Sequence, residues 1–172
     1  MTIKLFDIQG DKVVPTEHCY TLTSLKIIMD TYPDQYLKIY QYLFYTSCPN
    51  PDLNPFFNLA EEDKEEIILS EIDADFSSED QYIPEALSFC KTLYETPTLR
   101  AYSGIKKALD NIATYMSNTM ITDGRDGNIN QIRAMAKDFD AIRQSYKGAL
   151  QDLKDEQKSH VRGGAGLAYD QM

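Results

Sequence analysis

A chain of 172 residues fits one domain, and 42% apolar content with 12 Tyr and 7 Phe suffices for a core that buries about 70% of the unfolded surface. A formal net charge of −10 makes nucleic acid a poor partner for the surface as a whole. No stretch approaches the roughly 20 apolar residues of a membrane span, and Met1-Thr2-Ile3-Lys4-Leu5-Phe6-Asp7 lacks the apolar run of a signal peptide.

In chain order, residues 3–8 alternate well enough for a strand, Gln9-Gly10-Asp11-Lys12 reads as a turn, and Val13-Val14-Pro15 returns as a second short strand. An isolated hairpin is weak in water, so this one, within 1–16, must lie on the helices or on a neighbouring subunit. Ser24 is placed to cap a short helix to about Tyr32, where Pro33 stops it. Asp34 is placed to cap a second helix to about Ser47, with Tyr36, Ile39, Tyr40, Leu43 and Phe44 as a broad apolar stripe.

Cys48-Pro49-Asn50-Pro51 breaks that helix, and a loop rich in Pro and Asn runs to Phe57. Asn58 and Glu61 have capping-box spacing for a third helix over about 60–72. An acidic loop follows over 73–81, and Pro84 suits the first turn of a fourth helix ending near Glu95. Thr96-Pro97 reads as a cap with proline at the first helical position of a fifth helix, to about Met120. Leu99, Tyr102, Ile105, Leu109, Ile112 and Met116 mark its buried face at steps of three and four.

Residues 121–127 are a polar turn, and Asn128 is placed to cap the longest helix, 129–162, about 50 Å long at 1.5 Å per residue. Its stripe is Ile129, Ile132, Met135, Phe139, Ile142, Tyr146, Leu150 and Leu153. Matched stripes on either side of a short turn predict an antiparallel pair with Ile105, Leu109, Ile112, Phe139, Ile142 and Tyr146 buried together. Past Leu153 the helix turns wholly polar and is expected to project from the core or to meet a partner. The expected fold is all-α: a single domain over 1–162, a bundle of about six helices with a small N-terminal β-hairpin. A Gly-rich C-terminal arm, 163–172, follows it.

Few residues carry a chemistry. Residues 61–80 hold ten acids against one cation, Lys64, and so carry −9 of the net charge. Such a run reads first as a solvated helix face plus loop, and Glu61, Glu62 and Asp63 favour the positive end of a helix. Asp123-Gly124-Arg125-Asp126-Gly127-Asn128 looks like a calcium loop, but Arg125, Asn128 and Ala134 fall where a ligand, glycine and glutamate are needed. Cys19, Cys48 and Cys90 are odd in number and far apart, without ligand or disulfide spacing, which points to a reduced intracellular setting. Cys19 beside His18 lacks a residue to orient the imidazole. Gly163-Gly164-Ala165-Gly166 has neither a strand before it nor Lys-Ser or Lys-Thr after it, so it is no phosphate loop. No catalytic, cofactor or metal residue is therefore assigned. In the arm, Leu167, Tyr169 and Met172 are the sizeable apolar groups, hence the expected anchors on a partner. Tyr32, Tyr36, Tyr40, Tyr42, Phe44 and Tyr45 occupy more than one stripe of the second helix region, so some are core and others can face a neighbouring subunit.

The order of segments also carries a likeness. A short hairpin precedes Glu17-His18-Cys19-Tyr20-Thr21-Leu22. A Tyr-rich helix then runs into Tyr42-Leu43-Phe44-Tyr45-Thr46-Ser47-Cys48-Pro49-Asn50-Pro51, followed by Asn54-Pro55-Phe56-Phe57-Asn58-Leu59. Over the first two-thirds of the chain this pattern resembles small virion proteins of tailed bacteriophages, particularly crAss-like phages. The resemblance implies a non-enzymatic head–tail connector subunit, an adaptor, neck or ring protein below the portal. Its expected partners are copies of itself in a homomeric ring and the portal or adjacent ring and tail proteins. DNA would pass through the ring without specific binding, and no membrane is involved. Its expected place is the virion, after synthesis in the host cytoplasm. Two rivals stand beside this reading: an acidic regulatory protein that binds a host or phage factor, and a metal-dependent enzyme using the acidic cluster.

Overall fold

The computed structural model describes residues 4–10, 12–122, 124 and 127–163, with side chains to residue 157. The fold is all-α with a small β-hairpin. Its elements are β1 (Phe6–Gln9), β2 (Lys12–Pro15), α1 (Glu17–Thr21), α2 (Thr23–Thr31), α3 (Tyr36–Ser47), α4 (Glu61–Glu71), α5 (Ile83–Tyr94), α6 (Pro97–Asn118) and α7 (Ile129–Gly163). Seven helices are described where six were read, because α1 is one turn too short to leave a periodic signature. Within the stretch read as one domain the chain forms two compact units, Met1–Glu95 and Thr96–Met172.

In the first unit β1 and β2 pair antiparallel, Phe6 with Pro15 through Gln9 with Lys12, and Gly10 takes a φ of +64° at the turn. The hairpin lies on the helices. Phe6 packs edge-on against Phe44 and tilted against Tyr40, with ring centroids 5.9 Å apart in each case. Below it the hairpin is tied to α1: Thr16 N and Cys19 Sγ both donate to Leu5 O, at 2.9 Å.

α3 is the centre of this unit. Ile39, Tyr40, Tyr42, Leu43 and Phe44 are all buried, so the helix is covered on more than one side. Around it gather Leu25 and Ile28 of α2, Ile68 of α4, and Ile83, Ala86 and Cys90 of α5. Several caps differ from expectation. Ser24, Asp34 and Asn58 cap nothing: the N-cap positions of α2, α3 and α4 are Leu22, Gln35 and Ala60, without a side-chain cap bond. In each case the helix begins one or more residues away from the polar side chain, because burial of the apolar face sets the start. Pro84 does fall in the first turn of α5.

The second unit is a helical hairpin. Thr96 Oγ1 accepts from Leu99 N at 3.1 Å, so the expected cap of α6 is in place. The same hydroxyl donates to Glu156 Oε2 at 3.0 Å, which brings Glu156 to the start of α6. Midway, the rings of Tyr102 and Tyr146 lie 5.4 Å apart and their hydroxyls 3.1 Å. The expected antiparallel pair is present, but its burial is not. Ile105, Leu109, Ile112, Phe139, Ile142 and Tyr146 are only half-buried, and Tyr102 and Leu153 alone are buried among the described residues of this unit. Two helices cover each other along one line of contact, and a third layer is needed to close the flanks.

Candidate functional site

The acidic segment is a helix face plus a loop. Among the residues of α4 only Lys64 and Ile68 are buried. Lys64 was read as a lone cation in a solvated run; instead its side chain turns inward, with Nζ 3.4 Å from Thr46 O and 3.9 Å from Glu61 Oε1. Its long stem lets the charge reach a carbonyl at the end of α3 while the methylenes pack. No pattern signal marks such a lysine, since its position differs from its acidic neighbours only in register with Ile68.

The loop after α4 is pinned at many points. Lys38 Nζ donates to Asp73 O and lies 3.7 Å from the Asp73 carboxylate and 3.9 Å from that of Asp75. Gln35 Nε2 donates to Asp75 O at 3.1 Å and the Tyr32 hydroxyl to Gln81 O at 2.9 Å. Ser78 Oγ donates to the Glu65 carboxylate, and Ser77 N to Asp80 Oδ2. Asp73 and Tyr82, at the two ends of the loop, have φ of +49° and +71°, strained values for side chains with a Cβ. An open cleft lies beside it, lined by Thr31, Tyr32, Pro33, Asp34, Gln35 and Asp75. Among the described residues, no group of His, Cys, Asp and Glu is arranged to hold a metal ion.

The cysteines are buried and reduced. Burial pushes the Cys19 and Cys48 thiols up from 9.0 to about 11 and the Cys90 thiol to about 12. A nucleophile needs the opposite shift, because the thiolate is the reactive form. Cys19 donates its hydrogen to Leu5 O while His18 is exposed, so the two neighbours in sequence point apart.

Of the tyrosine cluster, Tyr40 and Tyr42 are buried, and Tyr32, Tyr36 and Tyr45 are half-buried against the core. The Tyr40 hydroxyl donates to Leu25 O at 2.9 Å, and its burial raises its pKa. Asn54 closes the Pro-rich loop that follows α3. It is 1% exposed, and its Nδ2 donates to Tyr45 O and Cys48 O at 2.8 and 2.9 Å while Oδ1 accepts from Phe56 N at 3.0 Å.

The α6–α7 connection holds another feature. Asn128 Oδ1 accepts from Thr122 N and its Nδ2 donates to Met120 O, both at 2.9 Å, so its side chain braces the connection, while its carbonyl accepts from Ile132 N at 3.0 Å in the first turn of α7. The brace leaves Met120 87% and Ile121 66% exposed. Ile121 falls within the stretch expected to be a polar turn, because exposure of an apolar residue leaves no mark in the sequence. The anchors expected in the arm, Leu167, Tyr169 and Met172, and the loop residues Asp123, Arg125 and Asp126, lie outside the described residues.

No family model matches this chain, and comparison with curated proteins and with solved structures gives no match.

Proposed function

We propose that this chain is a non-catalytic structural subunit that works by assembling with copies of itself. The observation that carries this reading is the α6–α7 hairpin, whose apolar stripe, Leu99 to Met116 and Ile129 to Leu153, stays mostly half-covered within the chain. A partner surface is the ordinary way to complete such a layer. The buried, proton-holding thiols fit a scaffold better than a thiol enzyme. Together with the resemblance of the first two-thirds to tailed-phage virion proteins, the reading is a head–tail connector subunit in a closed ring below the portal, with DNA passing through. The portal or an adjacent ring would then receive the arm through Leu167, Tyr169 and Met172.

Light scattering of the purified chain, alone and with a portal protein, tests this reading, with electron microscopy to show rotational symmetry. A multimer of fixed size with a central opening is expected. Deleting 163–172 should leave the melting curve unchanged and weaken binding to the portal. A chain that stays monomeric at high concentration, with and without portal, overturns the reading.

A further inference from the structure

Charge divides unevenly between the two units. Residues 1–95 hold six Lys and Arg against eighteen Asp and Glu, a net −12, and residues 96–172 hold eleven against nine, a net +2. Two copies that meet through their first units bring −12 against −12. Contact between the second unit of one copy and the first of another is the pairing that charge favours.

The second unit presents a built anchor for that contact. Met120 and Ile121 are the most exposed large apolar residues described, at 87% and 66%, and Tyr115 nearby is 42% exposed. Hydrogen bonds hold the described residues beside them. Thr122 and Asn128 exchange hydrogen bonds through backbone and side chain, Asn128 holds Met120 O, and Ile129 N donates to Thr122 O at 3.3 Å. A fixed knob loses little entropy on docking. Arg133 and Lys137, both exposed, follow it in the second and third turns of α7.

The matching surface is α4 in the first unit. Ile67 is 40% exposed there, among the exposed acids Asp63, Glu66 and Glu71. It offers an apolar contact inside the most acidic stretch of the chain, whereas an anionic lipid surface would repel a protein of net charge −10.

We propose that Met120 and Ile121 form a docking knob that seats on the acidic α4 face around Ile67 of a second copy of this chain. The contact joins unlike surfaces, so it propagates head to tail and closes into a ring or extends as a filament. This inference rests on the assembly reading above.

Two variants test it, Met120→Ser/Ile121→Ser and Ile67→Lys, with Met120→Gln/Ile121→Thr as a milder second knob variant. All five substitutions fall at three exposed positions, and melting curves confirm the fold. Each variant alone should lose self-association by about tenfold or more in Kd, as expected for removing buried apolar contact. Mixed one to one, the knob variant and Ile67→Lys should form a species of two-chain mass, because each retains the surface the other lacks. Wild-type-sized multimers from both knob variants overturn the docking and leave the assembly reading standing. Variants that lose association but do not pair on mixing also overturn it. A wild-type chain that remains monomeric, or that instead binds phosphatidylcholine vesicles through the knob, overturns both.

Discussion

Asn54 shows what one side chain does for this fold. The chain must turn sharply after α3 to pass through Pro49, Pro51 and Pro55, none of which has an N–H to donate. The carbonyls of Tyr45 and Cys48 at that turn are served by the Asn54 amide, and the Phe56 N–H is served by its oxygen. Asn54→Ala takes a partner from two carbonyls and one N–H, one of the three bonds buried and two part-buried, and a loss of about 1–3 kcal/mol in urea denaturation is expected; a loss under about 0.5 kcal/mol would show that water replaces the amide. The thiols give a pH prediction. Cys19, Cys48 and Cys90 ionise near 9.0 when unfolded, and at about 11, 11 and 12 in the fold because burial disfavours the thiolate. Above pH 9 the unfolded state therefore releases protons that the folded state still holds. Stability is fully present below about pH 9 and falls as pH rises to about 11–12. Buried Tyr40 and Tyr42, also raised by burial, steepen the fall. The urea midpoint of the wild type should drop between pH 8 and pH 10.5, and that of Cys19→Ala/Cys48→Ala/Cys90→Ala should drop less. Equal drops would place the titration elsewhere.

Among the elements, α6 and α7 carry two glycines that their own packing does not need. A Cβ added at Gly104 or Gly148 meets nothing within 4 Å. Each lies inside a helix, where glycine is worse than alanine by about 1 kcal/mol. Gly104→Ala/Gly148→Ala should raise the unfolding free energy of the monomer by roughly 1–2 kcal/mol; a fall would reveal a close contact at these positions. These two helices were also the most legible in sequence. Thr96-Pro97 marked the start of α6, and the three-and-four spacing of Leu99 to Met116 and of Ile129 to Leu153 marked both stripes. What the stripes did not show is the depth of burial, since periodicity reports which face is apolar but not how many layers cover it. Of the shorter helices, α2 to α5 were found in the right order, with the N-caps of α2, α3 and α4 misplaced. At Ser24, Asp34 and Asn58 the local hydrogen bond competed with apolar burial of Leu25, Ile39 and Ile68 and lost.

At the scale of the whole molecule, the candidate contact surfaces were the least legible part. Lys64 turned inward, Ile67 outward, and Met120 and Ile121 into solvent. None of these directions follows from residue type, because each depends on the register of an element against the core. The division into units follows from where burial accumulates. Every member of the large buried cluster, from Leu5 to Cys90, lies within Met1–Glu95, and its half-buried neighbours from Ile8 to Phe89 do too. The second unit has only Tyr102 and Leu153 buried among its described residues. Independent folding requires a core that repays the chain entropy, and a two-helix hairpin with two buried side chains is short of that while a five-helix unit with its own cluster is not. A fragment of residues 1–95 is therefore expected to unfold cooperatively, with a sigmoidal urea transition and dispersed amide resonances. A fragment of residues 96–172 should show helical circular dichroism that fades gradually on heating, and should sharpen into a cooperative transition only at concentrations where copies associate. Aggregation or a collapsed spectrum of fragment 1–95 would mean that its cluster needs the hairpin, and a sharp concentration-independent melt of fragment 96–172 would mean that the half-covered stripe is stable as it stands.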